Sequence, residues 1–121
     1  MANTTRSRKN KGVRLQNTVA SMIRRIFRFR KEDVKPAIMG ETGVDIHLSS
    51  LAKQRCPLAI ECKNVEKLNI WDALKQTEKN ATGKEKGVLF FKRNHSKIYV
   101  AMDAEYFLEV LNFVTDAKQI R

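Results

Sequence analysis

Three side chains carry the chemistry that this sequence offers most plainly: Asp45, Glu61 and Lys63. Each lies in a short stretch that alternates apolar and polar residues, Gly43-Val44-Asp45-Ile46-His47-Leu48 and Leu58-Ala59-Ile60-Glu61-Cys62-Lys63. Read as strands, the first places Val44, Ile46 and Leu48 on one face and Asp45 and His47 on the other. The second places Leu58, Ile60 and Cys62 opposite Glu61 and Lys63. If the strands pair, two carboxylates and an ammonium converge on one patch of sheet. Hard carboxylate oxygens suit Mg²⁺ or Mn²⁺, and the Cys62 carbonyl can add a further oxygen. An ammonium two residues away can orient an attacking water and steady charge on a phosphate. Glu41 joins the same side if the first strand starts early.

The elements that must position these groups follow from periodicity and turn chemistry. A helix is expected over Val13 to Phe29, with Leu15, Val19, Met22, Ile26 and Phe29 on one face, Ile23 at its edge and Gln16 at the margin of the stripe. Asp33 to Ile38 reads as a short edge strand broken by Pro36. Ser49 to Pro57 reads as the loop of a hairpin that returns the Glu61 strand antiparallel to the Asp45 strand. A helix from Asn69 to about Ala81 sets Ile70, Trp71, Leu74 and Ala81 toward the sheet. Lys86 to Phe91 is a buried strand reached by a crossover and hence parallel to an earlier one, and Lys97 to Met102 is another strand. Asp103 caps a last amphipathic helix, Ala104 to Val114, carrying Phe107, Leu108, Leu111 and Val114. The expected fold is α/β, a mixed central sheet flanked by helices in the order α-β-β-β-α-β-β-α. Residues 13–121 form one domain behind a disordered basic arm, 1–12.

Charge placement points to a partner. The first 31 residues hold ten basic side chains and no acidic one, whereas the other 90 hold 14 basic against 13 acidic, so nearly all of the net +11 sits in the first quarter. A near-neutral body with a basic arm and helix reads as a nucleic-acid binder, with Arg6, Arg8, Lys9, Lys11, Arg14, Arg24, Arg25 and Arg28 as phosphate contacts. No apolar run approaches the roughly 18–20 residues of a membrane span. Cys56 and Cys62 suggest neither a disulfide framework nor a zinc site, and a reducing intracellular setting fits.

The residues Gly43-Val44-Asp45-Ile46 with Glu61-Cys62-Lys63 sixteen positions on from the Asp resemble the PD-(D/E)xK nuclease motif. The resemblance covers residues 13 to 114 and implies a restriction-endonuclease-like fold with Asp45 and Glu61 on Mg²⁺ or Mn²⁺. Small size and the opening Lys11-Gly12-Val13-Arg14-Leu15-Gln16 are most similar to Holliday junction resolvases of archaeal and phage type. That likeness implies a homodimeric, metal-dependent endonuclease of four-way DNA junctions, acting inside a prokaryotic or phage-infected cell. Those relatives usually carry a Glu on the first helix, where this chain has Gln16, and several have a Gln on the second helix, matched by Gln76. Gln16, Glu41 and Gln76 therefore compete to complete the site. The alternatives are a flap, single-strand or restriction-type nuclease of the same superfamily, or a basic nucleic-acid-binding protein without catalysis.

Overall fold

A computed structural model describes residues 4–38 and 40–120, with side chains to Asp116. The chain is mixed α/β. Helix α1 (Thr5–Phe27) leads through a 3₁₀ turn (Lys31–Asp33) to β1 (Val34–Pro36) and β2 (Ile46–Leu48). Then follow α2 (Ser50–Arg55), β3 (Leu58–Asn64), α3 (Ile70–Asn80), β4 (Lys86–Lys92), β5 (Tyr99–Ala101) and α4 (Ala104–Ile120). A short helix, α2, which the expected order lacks, lies between β2 and β3. Among the described residues no helix is long and apolar enough to cross a membrane.

Residues 5–12, expected as part of a disordered arm, are helical; residues 1–3 lie outside the described residues. Thr4 starts the helix because its Oγ1 accepts the Ser7 N–H at 3.0 Å, satisfying a donor with no partner inside the helix. Leu15, Val19, Ala20 and Ile23 are buried, but Ile26 is 67 % exposed, so the core stripe ends before it. The cause is the helix terminus: Arg28 closes the helix in a left-handed conformation (φ 61°). Beyond it Phe29 turns in to stack on Phe27, with Arg55 over both rings.

The sheet is divided. β3 and β4 are parallel in register Leu58↔Lys86 to Asn64↔Lys92, and β5 runs antiparallel to β4. β1 and β2 form a separate antiparallel pair. The expected β2–β3 hairpin ladder is not formed, and its loop is α2, whose N-cap Ser49 Oγ accepts from Ala52 N at 3.1 Å. Six residues with one buried side chain, Ala52, give too little periodicity to read as a helix. What joins the two sheets is Asp45, just ahead of β2. Its N–H donates to Ile60 O (2.9 Å) and its carbonyl accepts from Ala37 N (2.8 Å).

The main core lies between α1 and the sheet, where Leu15, Val19, Ala20 and Ile23 meet Val34, Ile46, Ile60 and Cys62. On the opposite face α3 packs through Ala73 and Thr77, not through Trp71, which is 76 % exposed. Gly87 permits this close approach: a Cβ there would stand 2.5 Å from the Thr77 backbone. Helix α4, capped by Asp103 Oδ2 accepting from Tyr106 N (2.8 Å), leaves Phe107, Leu108, Leu111, Phe113 and Val114 exposed.

Candidate active site

β3 is buried on both faces along Ala59–Cys62. Its alternation sends Ile60 and Cys62 into the α1 core and Glu61 and Lys63 to the α3 side. Cys62 is a core thiol whose burial pushes its pKa far up, which excludes it as a nucleophile near neutrality.

Asp45 arrives at β3 from outside the ladder and is fixed through side chain as well as backbone. Its Oδ2 accepts the Cys62 N–H at 2.7 Å. The N–H and C=O of one strand residue face the same edge, so the Cys62 carbonyl also faces the Asp45 side. Gly43, at φ 95°, bends the chain ahead of Asp45 in a conformation that side-chain-bearing residues rarely adopt. Glu61 is buried, and Lys63 Nζ lies 3.9 Å from Glu61 Oε1 with part of its side chain open to solvent.

The electrostatics are those of two carboxyls forced together. Burial pushes Glu61 up to about 7, with the Asp45 charge adding to the rise and Lys63 opposing it. Burial likewise raises Asp45, against the Cys62 N–H and the Lys63 charge, which pull it down. The mutual influence of the two carboxyls lowers Asp45 and raises Glu61, so the proton is favoured on Glu61. Such a pair is short of positive charge, and its oxygens suit a hard divalent ion that retains waters and substrate oxygens in its shell. Among the described residues no group of three or more His, Cys, Asp or Glu could hold a metal, so two carboxylates and a carbonyl are the donors at hand.

Asn80, at the end of α3, is the member of this site that the sequence reading missed. Its Nδ2 donates to Glu61 Oε2 (3.3 Å) and to Gly43 O (3.1 Å), tying α3 to both halves of the site. Its only sequence signal is that it follows Gln76 by one helical turn. Neither Gln16 nor Gln76 hydrogen-bonds either carboxylate. Gln16 is half-buried on α1, and Gln76 is exposed and lines with Lys63, Asn69 and Asp72 a cleft of about 280 Å³. Glu41 is occupied elsewhere: its carboxylate accepts from Ile38 N and lies 3.1 Å from His47 Nε2.

Of the basic residues, Arg6, Arg8, Lys9, Arg14, Arg25 and Arg28 are exposed along α1 and its C-cap, and Lys11 is half-buried. Arg24 has a structural task, its Nη1 donating to Val34 O at 2.7 Å to hold α1 on β1.

Compared with known proteins, the chain matches no family model, no curated protein and no solved structure.

Proposed function

We propose that the protein is a metal-dependent endonuclease of branched DNA, built on a restriction-endonuclease-like arrangement. One observation carries this reading: Asp45 and Glu61 are held against each other by β3, with the Lys63 ammonium 3.9 Å from Glu61. A pair serving only stability would be better replaced by apolar residues, because burying a carboxylate whose pKa rises costs free energy. Asp45, Glu61 and the Cys62 carbonyl would hold Mg²⁺ or Mn²⁺, which when bound supplies Lewis-acid neutralisation of charge at a phosphodiester. Lys63 holds the attacking water and stabilises negative charge developing on the phosphate. Asn80 keeps Glu61 turned toward Asp45. The basic side chains of α1 bind the DNA backbone, and two copies related by a twofold axis act on the two opposed strands of a four-way junction.

The test compares cleavage of a four-way junction, a linear duplex and a single strand in Mg²⁺. Junction cutting is expected to dominate, and Asp45→Asn or Lys63→Ala to reduce it by at least about 10²-fold while binding persists. Preferred cutting of single strands or flaps moves the assignment to another nuclease type of the same chemistry. Absence of metal-dependent cutting on every DNA overturns the enzymatic reading.

A further inference from the structure

Across the sheet from the carboxylates lies a second polar cleft. Lys63 and Asn64 are consecutive in β3, so their side chains leave the strand on opposite faces. Lys63 serves the α3 side, whereas Asn64 lines a cleft of about 290 Å³ between α1 and the turn joining β4 to β5. Lys11, Arg14 and Thr18 line it from α1, at the three- and four-residue spacing that shares a helix face. Lys92, Asn94 and His95 line it from the other side. The Thr18 hydroxyl is spent on Arg14 O (2.9 Å).

Two observations give this cleft a ligand. First, its three charged lining residues, Lys11, Arg14 and Lys92, are all cations, and no carboxylate lines it. The neighbouring Glu66 carboxylate accepts the Asn94 N–H at 2.6 Å and lines a different pocket, with Val65 and Arg93. Second, Asn64 Oδ1 is, among the described residues, the buried side-chain oxygen left without a hydrogen-bond partner. Buried amide oxygens are almost always paired, so an orphan on a residue that lines a cationic cleft marks a side chain free to reorient toward a ligand. A turn of the carboxamide about its side-chain bonds can present the N–H₂ donor to a phosphate oxygen in the cleft. The turn is rigidly built: His95 takes a left-handed conformation (φ 65°), Ser96 Oγ accepts from Arg93 N, and Val65 N donates to Lys92 O.

We propose that this cleft is a second phosphate subsite, holding one backbone phosphate of a DNA strand through Lys92, Arg14, Lys11 and the Asn64 amide. The proposal rests on the nuclease reading for the identity of the strand. A strand engaged at Lys63 continues over the end of β3 into the cleft, so consecutive residues of one β-strand grip it on two faces of the sheet. This adds Lys92 and Asn64, neither of which belongs to the basic first quarter of the chain, to the binding surface.

The experiment titrates a fluorescein-labelled four-way DNA junction with the full chain in EDTA and follows anisotropy between roughly 50 and 200 mM KCl. Lys92→Ala and Lys92→Gln are expected to weaken binding about three- to tenfold and to lower the salt slope by about 1. Asn64→Asp, which sets a negative charge against the phosphate, is expected to weaken it further. Lys79→Ala, on exposed α3 surface, leaves affinity at the wild-type value. Using two Lys92 variants with unchanged melting temperatures separates loss of contact from loss of fold. If both keep the wild-type affinity and slope, the subsite is overturned and the nuclease reading stands on its cleavage assay. If the wild-type protein binds the junction but never cuts DNA, the nuclease reading fails while the Lys92 slope still decides the subsite. If it binds no DNA, both fall.

Discussion

Glu61 at about 7 and Asp45 also raised mean that the folded protein holds protons which the unfolded chain, with Glu61 near 4.5, has released. Between those values the native state binds more protons than the unfolded state, so stability falls as pH rises across the window. The loss from Glu61 is at most on the order of 3 kcal/mol, since each unit is about 1.4 kcal/mol. Thermal melts without divalent metal should therefore show a melting temperature several degrees lower at about pH 8 than at about pH 5. Mg²⁺ should recover much of the difference at the higher pH, because it replaces the missing positive charge. Glu61→Gln should flatten the profile and remove the metal effect, and a flat wild-type profile would count against the coupled pair. Glu61 and Lys63 were legible because they share a face of β3 that a period of two assigns without knowledge of the partner strand, whereas Asp45 reaches them from just ahead of β2. Asn80 was not legible, because its role depends on where a helix 19 residues beyond Glu61 comes to rest. Glu41 was placed near the site by strand alternation, and its carboxylate is instead occupied by Ile38 N and His47.

At the scale of elements, the parallel β3–β4 crossover and the capped helices α3 and α4 were legible from apolar runs and from Asn69 and Asp103. The failures share a cause. Helix α2 and the first two turns of α1 form through caps and propensity with little apolar periodicity, so a reading based on buried stripes passes over them. Trp71 was expected among the side chains facing the sheet, yet it is exposed and the helix buries Ala73 and Thr77 instead. The explanation lies on the other element, where Gly87 lets the two backbones meet. Gly87→Ala would set a methyl group 2.5 Å from Thr77 C and O and 2.8 Å from Glu78 N. These are backbone atoms that cannot swing aside. Urea unfolding should register a loss of about 1–3 kcal/mol, as for other overpacked interiors. The shift of α3 would also loosen Asn80 from Glu61, so Mg²⁺ should stabilise the variant less than it does the wild type. An unchanged urea midpoint would show that α3 does not rest on β4 in this way.

For the whole molecule, two surfaces remain after the core is closed: a cationic one on α1 and an apolar one on α4. The apolar surface has a physical cost, because Phe107, Leu108, Leu111, Phe113 and Val114 keep half or more of their area, or nearly so, in water. Exposed aromatic and aliphatic residues grouped on one helix mark an interaction surface. Under the proposed function the occupant is a second copy, because opposed strands of a junction require two sites at a fixed separation. A twofold pairing of α4 with its equivalent is self-complementary, and α4 is uncharged between Glu109 and Asp116. Sedimentation at the concentration used for cleavage should therefore give twice the monomer mass. Leu111→Lys should shift it to monomer, since burying an unpaired ammonium in an apolar interface costs more than the lost contact. With Asp45, Glu61 and Lys63 untouched, that monomer should still make single incisions but lose paired, symmetric ones on a four-way junction. A wild-type protein that sediments as a monomer yet cuts both strands in concert would separate junction resolution from dimerisation. The apolar face of α4 would then need another partner.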